Sequence, residues 1–158
     1  MRRLLTLILI LCLAAPARPG AHTVVLVVGA DSPVNNLTSV DLEKLFLGLP
    51  VLMNGRPLHP LRNRSDPSCN VRRSRSDTAK DCLLDEIFLQ QIVDRTGESY
   101  DREMLNRVNQ GGLRPPEFTS LSELIGALSS DPSAVSFMWE RDVAHNPHIR
   151  VIRELWSD

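Results

Sequence analysis

The chain has 158 residues and a formal net charge of −1, with 42% hydrophobic and 23% charged residues. This length allows one ordinary domain and excludes a large multidomain enzyme. The hydrophobic content suffices for a core and excludes a disordered chain, while the near-zero charge argues against a whole-protein nucleic-acid binder.

The N-terminus has the pattern of a secretory signal. Two arginines precede an almost wholly apolar run at 4–15, which is too short to span a bilayer. Ala15-Pro16-Ala17 follows as a small-residue cleavage site. We therefore predict a signal peptide over 1–17, or alternatively over 1–21, and a mature domain over 18–158. Such a protein is periplasmic or secreted and has no stable membrane span after cleavage.

Two of the three cysteines, Cys69 and Cys82, lie in the predicted mature chain. An even pair in an oxidising compartment favours a disulfide, and two free thiols are the alternative. Closing this loop of about 14 residues would stabilise the fold by roughly 3 kcal/mol if the native geometry permits the bond.

The first half of the mature chain gives strand, helix and hairpin signals in turn. The β-branched run at 23–28 predicts a buried strand. A capping-box-like sequence at 38–41 predicts a helix that stops at Gly48. Asn54-Gly55 is a hairpin signal, and two prolines restrict the following arm, 58–61, to an edge or irregular strand.

The stretch 62–82 is predicted to be a basic loop closed by the disulfide. It lacks apolar periodicity, and its six basic residues are Arg62, Arg64, Arg72, Arg73, Arg75 and Lys80. The last four form a basic patch that suits an acidic protein partner or anionic headgroups, because electrostatic steering favours such encounters. A solvated insertion is the alternative. No aromatic residue lies among the arginines, which argues against a single-stranded nucleic-acid platform.

The second half predicts three helices and two strands. An amphipathic helix begins at 83 and ends near Gly97, a second covers 100–109, and a third follows a capping box and covers 120–128. The ranges 135–139 and 149–152 predict strands. Strands interleaved with helices indicate an α/β domain of one sheet covered by helices.

Signals for catalysis and for metal binding are sparse. No serine lies in a G-x-S-x-G elbow, and no histidine lies beside a recognisable nucleophile motif. His145 and His148 flank a proline, and two histidines alone do not specify a metal site. We predict a protein that is not an enzyme and needs no metal or other cofactor, with metal capture by this pair as the alternative.

Several motifs carry a family resemblance. The segment 37–48, LTSVDLEKLFLG, resembles the L-s-x-x-[DE]-L-x-x-I-F-x-G segment of periplasmic phosphate-binding proteins of ABC transporters. The piece 60–70 corresponds to that family's R-x-D-x-S-G-T loop, and 114–117 and 135–138 are similar to its later link and strand. The resemblance covers roughly 24–153. It implies a single three-layer α/β lobe of the periplasmic binding protein type, with one mixed sheet flanked by helices.

The resemblance also implies an anion site. Arg64, Asp66 and Ser68 match the family's loop arginine, aspartate and serine, whereas Cys69 and Asn70 stand where glycine and threonine are expected. An arginine fork suits two oxygens of a tetrahedral anion, and hydroxyls and main-chain N–H groups complete the cage. The candidate anion ligands are Arg62, Arg64, Asp66, Ser68 and Asn70.

The length departs from the family, because two-lobed binding proteins are about twice this size and close on the ligand from both sides. A half-site open to water binds an oxyanion weakly, since an exposed charge pair contributes about 0–1 kcal/mol. Tight capture would require a homodimer or a periplasmic partner. The resemblance implies an exported solute-binding-like protein for phosphate or a similar oxyanion in a transport or sensing system. The alternative is a periplasmic interaction or accessory protein that keeps the fold without small-molecule binding.

Overall fold

The computed structural model describes residues 22–67 and 82–158. Its strands are β1 (Thr23–Gly29), β2 (Leu52–Met53), β3 (Arg56–Pro57), β4 (His59–Pro60), β5 (Arg62–Asn63), β6 (Glu117–Phe118), β7 (Ala134–Trp139) and β8 (Ile149–Ser157). Its helices are α1 (Ser39–Phe46), α2 (Leu83–Ile87), α3 (Gly97–Asn109), α4 (Leu121–Ser130) and α5 (Glu140–Val143). A π-helical turn, Phe88–Ile92, directly follows α2.

The main sheet of the described residues is mixed and has the order β4-β7-β1-β8. The central strand β1 pairs antiparallel with both β7 and β8, and β4 pairs parallel with β7. Its sequence TVVLVVG is almost continuously apolar, as expected for a strand that is covered on both faces. The short strands β5 and β6 pair parallel with each other beside this sheet.

Alternate side chains of β1 enter two different hydrophobic clusters. Val24, Leu26 and Val28 pack with residues of α1, α2, the π-helical turn and α3. Val25 and Val27 pack with residues of α4 and α5. Helices therefore cover both faces of the sheet, which confirms the predicted three-layer arrangement.

The elements predicted from local signals form as expected. Thr38 Oγ1 accepts from the main-chain N–H of Asp41 at 3.1 Å, and Asp41 Oδ2 accepts from the N–H of Thr38 at 3.1 Å, so the capping box is complete. Asn54 and Gly55 join β2 to β3 with φ values of 52° and 75°. β4 lies at the edge of the main sheet, where a proline is tolerated.

Several predicted boundaries were wrong, and the predicted loop 62–82 begins with the strand β5, whose Arg62 and Asn63 are buried. The helix that starts at Leu83 ends before Val93 instead of near Gly97, because its second half is a π-helical turn and Asp94 then adopts a positive φ of 48°. β8 continues to Ser157, well beyond the predicted end at 152. Its pairing with β1 contains two register shifts, which interrupt the alternation of apolar and polar residues that marks a strand in sequence.

Several predictions fall on 1–21 and 68–81, outside the described residues, and stay predictions. These are the signal peptide, the Cys69–Cys82 disulfide, the ligands Ser68 and Asn70, and the basic patch Arg72, Arg73, Arg75 and Lys80. Within 22–67 and 82–158, no helix combines the length and the apolar character that crossing a bilayer requires.

Candidate functional site

The predicted anion-binding segment begins in β5 and runs parallel to the neighbouring strand β6. The main-chain N–H of Arg62 donates to the carbonyl oxygen of Pro116 at 2.9 Å, and that of Arg64 donates to Phe118 at 2.7 Å. These bonds bring the segment after β5 against the link that contains Glu117. The sequence pieces 60–70 and 114–117, both quoted for the family resemblance, are therefore neighbours in the fold.

Asn63 attaches this segment to the main sheet. Its side chain is buried and donates through Nδ2 to the carbonyl oxygen of Phe137 in β7, at 2.9 Å. Its Oδ1 accepts from the main-chain N–H of Ser65 at 2.9 Å and from the Ser65 hydroxyl at 2.7 Å. Asn63 thus bonds to β7 on one side and to Ser65 on the other. These bonds fix the position at which Arg64 leaves β5. Sequence reasoning gave Asn63 no role.

Arg62 lies inside the fold with a side chain only 5% exposed. Its guanidinium pairs with Asp85 at 2.7 Å and with Glu117 at 2.9 Å, and it lies over the rings of Phe88 and Tyr100 at 4.7 and 4.9 Å. Burial by itself would lower the pKa of Arg62, but the two carboxylates outweigh it and the pKa is raised. An incoming anion would therefore compete with both carboxylates for this guanidinium.

Glu117 is the centre of the charged cluster. Its Oε1 accepts from Arg62 at 2.9 Å and from Arg114 at 3.1 Å, and its Oε2 lies 3.5 Å from Nη1 of Arg64. Arg114 also pairs with Asp101 of α3 at 3.1 Å. Sequence reasoning missed Glu117 and Arg114 as site residues. The available signal was their opposite charge at a spacing of three residues within the link that resembles the family.

Arg64 is far more accessible than Arg62, the other predicted arginine ligand that the structure describes. About a third of its side chain is exposed, and its ion pair with Glu117 is long, at 3.5 Å. Asp66 instead accepts from the indole N–H of Trp139 at 2.9 Å, at the end of β7. Asp66 thus anchors the segment, whereas the side chain of Arg64 remains partly exposed to solvent.

The start of α2 carries negative charge. Its first turn contains Asp85 and Glu86, and the main-chain N–H of Asp85 donates to Sγ of Cys82 at 3.3 Å. Carboxylates at a helix N-terminus complement the helix dipole. An anion placed there would meet like charges, so the start of α2 is an unfavourable place for the main-chain N–H groups that complete an anion cage.

The described residues also form two concave sites that the cluster around Glu117 does not line. Two surface clefts of about 290 Å³ each lie beside the β2–β3 hairpin and beside Trp139, and neither is lined by a candidate anion ligand. Among the residues that the structure describes, no three His, Cys, Asp or Glu side chains are grouped as a metal site requires.

Solved structures of phosphate-transport proteins share this fold. An ABC-type phosphate transport receptor from Vibrio cholerae matches with a TM-score of 0.52 and 12% identity, over 84% of this chain and 46% of that one. A putative phosphate ABC transporter substrate-binding protein with bound phosphate from Clostridium perfringens matches with a TM-score of 0.51 and 13% identity, over 84% and 45%. No protein-family model and no curated protein matches the chain. The chain spans about half the length of these structures and has the mixed α/β fold of one lobe of a periplasmic binding protein.

Proposed function

We propose that this chain is an exported solute-binding-like protein that binds phosphate or a similar oxyanion at the end of β5, within a transport or sensing system. The observation that carries this proposal is the position of Arg64. Its side chain is a third exposed, has a single long ion pair of 3.5 Å among the described contacts, and stands where the family resemblance expects an arginine. The shared fold with phosphate receptors supports the same reading.

The neighbouring sequence adds the groups that an oxyanion needs. Ser68 and Asn70 follow Arg64 closely in the chain and offer a hydroxyl and an amide as hydrogen-bond donors. The sequence that follows also carries the basic patch Arg72, Arg73, Arg75 and Lys80, and an excess of positive charge attracts anions. Because one lobe leaves the anion open to water, we expect a dissociation constant on the order of millimolar. A second copy or a periplasmic partner that covers the site would tighten it.

Export is part of the proposal. The arginine pair, the apolar run and Ala15-Pro16-Ala17 support a cleaved signal, and a disulfide between Cys69 and Cys82 suits an oxidising compartment. The mass of the exported chain, measured with and without reductant, tests cleavage and the disulfide together. Mass measurement under native conditions, with and without phosphate, tests dimerisation.

Calorimetric titration of the exported protein with phosphate and with sulfate tests the anion site. We expect measurable binding at millimolar anion and its loss in Arg64→Ala. Arg95→Ala is a matched control, because Arg95 is 35% exposed and has an equally long ion pair of 3.5 Å, but with Glu43 of α1. No heat at millimolar phosphate or sulfate contradicts the proposal, as does equal binding by Arg64→Ala and the wild type.

A second candidate function is that of a periplasmic interaction or accessory protein. The observation in its favour is that Arg62 already pairs with Asp85 and Glu117, so an anion would have to compete with two carboxylates for it. In this case partner capture survives Arg64→Ala and is lost when Arg72, Arg73 and Arg75 are neutralised. The opposite pattern, with the anion lost in Arg64→Ala, favours the first function.

A further inference from the structure

We propose that Glu117 is a resident carboxylate that takes the place of an oxyanion among Arg62, Arg64 and Arg114, and that it thereby limits anion binding at this site. The inference rests on the proposed function in that both use the same site. It adds Arg114 to the residues that bind the anion. It also assigns to Glu117 the role of opposing anion binding.

The contacts of Glu117 are those that a bound oxyanion would make. One carboxylate oxygen accepts from Arg62 at 2.9 Å and from Arg114 at 3.1 Å, and the other lies 3.5 Å from Arg64. Guanidinium groups bind carboxylate and phosphate oxygens through the same N–H fork. Three guanidinium groups that meet at one carboxylate therefore form the donor set that a tetrahedral oxyanion requires.

Two of these arginines are held in place without Glu117. Arg62 pairs with Asp85 at 2.7 Å and lies over two aromatic rings, and Arg114 pairs with Asp101 at 3.1 Å. Removing the charge of Glu117 therefore leaves both donors close to their present positions. A site with donors already oriented binds its ligand with less loss of side-chain freedom.

The charge balance of the cluster explains why Glu117 opposes binding. Among residues 22–67 and 82–158, three arginines of the cluster face three carboxylates, because Asp85, Asp101 and Glu117 all pair there. An added oxyanion is then an excess negative charge beside Glu117, and like charges held together at a site are strongly unfavourable. Glu117 is 29% exposed and Arg114 is 42% exposed, so solvent anions reach the cluster. Neutralising Glu117 would leave one net positive charge.

Titration with sulfate, and then with phosphate, tests this in four forms of the exported protein. These are the wild type, Glu117→Gln, Glu117→Gln with Arg114→Ala, and Glu103→Gln. We expect Glu117→Gln to bind sulfate about tenfold more tightly than the wild type, and the added Arg114→Ala to abolish that gain. Glu103→Gln is the matched control, since Glu103 is 37% exposed and pairs with Arg107 at 2.7 Å, and it should bind as the wild type does.

The outcomes separate this inference from the proposed function. If the wild type binds sulfate and Glu117→Gln binds it no better, the inference is overturned while the function stands. Should only Glu117→Gln bind, with the gain lost on Arg114→Ala, the inference stands and the wild type is not an anion receptor. Absence of sulfate binding in Glu117→Gln overturns the inference in every case.

A second measurement tests the inference even if Glu117→Gln is less stable than the wild type. Thermal unfolding in sulfate and in chloride at equal ionic strength compares the same proteins without requiring a binding isotherm. A ligand that binds the folded state raises its Tm, so sulfate should raise the Tm of Glu117→Gln more than that of the wild type or Glu103→Gln. Equal sulfate effects in all three proteins would overturn the inference.

Discussion

Trp139 donates its indole N–H to Oδ2 of Asp66 at 2.9 Å, and so ties the end of β7 to the segment that follows β5. Trp139 itself is only 5% exposed. The bond gives Asp66 a positional role, because a carboxylate that accepts an indole N–H keeps the chain after Arg64 close to the sheet. A residue predicted as an anion ligand is therefore an anchor for the segment that carries the exposed arginine.

Replacing Asp66 should expose Trp139. We expect Asp66→Ala to lower the free energy of unfolding by about 1–2 kcal/mol, because it removes a hydrogen bond to a charged acceptor. We also expect a red shift of the Trp139 emission, measured in a Trp156→Phe background since the chain has two tryptophans. Asp66→Asn keeps an acceptor and should retain most of both properties. Unchanged emission and stability in Asp66→Ala would contradict this anchoring role.

The buried Arg62 should be required for stability. Arg62→Ala leaves Asp85 and Glu117 without their shared cation, and breaking a buried ion pair costs about 3 kcal/mol. Arg102→Ala removes an exposed arginine that pairs with Glu98 within α3, and it should cost no more than about 0.5 kcal/mol. Urea denaturation of both variants gives the comparison. Similar losses of unfolding free energy in the two variants would show that the buried ion pairs of Arg62 stabilise the protein no more than an exposed pair does.

Sequence reasoning succeeded wherever a few adjacent residues decide the local structure. The capping box at Thr38, the Asn54-Gly55 turn and the apolar run of β1 each depend on neighbours in the chain. It did not find α5, which has only four residues and is too short to show helical periodicity. It also did not find β6, which has two residues and forms only because β5 lies beside it.

The candidate site was predictable only in part, because some of its contacts join residues that are far apart in the chain. The family resemblance indicated Arg64 and Asp66 from a single stretch of sequence. The partners of Arg62 come from elsewhere in the chain, since Glu117 is 55 residues away and Asp85 is 23 residues away. Such ion pairs depend on tertiary contacts, so an arginine that looks free in the sequence can be paired with carboxylates in the fold.

The capping box at the start of α1 should make stability depend on pH. Hydrogen bonds from the Thr38 side chain and then from its main-chain N–H hold the pKa of Asp41 below its usual range. A carboxyl with a lowered folded-state pKa stabilises the protein above its unfolded-state pKa, and this contribution is lost as the pH falls through the lowered value. The contribution is therefore present at neutral pH and absent in strong acid.

Thr38→Ala should lower the free energy of unfolding at neutral pH by about 1 kcal/mol, as the loss of a helix cap does. The difference from the wild type should shrink in strong acid, and the pKa of Asp41, followed by NMR, should rise. Thr96→Ala is the control, because Thr96 caps α3 through the N–H of Ser99 and makes no contact with Asp41. A pKa of Asp41 that stays the same in Thr38→Ala would refute the proposed cause.

Two glycines with equally open surroundings should respond to alanine in opposite directions. A Cβ added at Gly55 or at Gly126 would meet no atom within 4 Å, so packing does not distinguish the two sites. Gly55 has a φ of 75° in the β2–β3 turn, where an L side chain costs about 1–2 kcal/mol. Gly126 lies inside α4, where alanine is favoured over glycine by roughly 0.5–1 kcal/mol.

We therefore expect Gly55→Ala to lower the Tm and Gly126→Ala to raise it, both measured by thermal unfolding at the same pH. Gly55→Asn separates the cause, since asparagine tolerates a positive φ better than alanine does and should recover part of the loss. If Gly55→Ala and Gly126→Ala shift the Tm in the same direction, backbone conformation is not what determines the effect at these positions. The opposite signs would follow from backbone dihedral preference alone, because neither substitution removes or adds a contact in the folded protein.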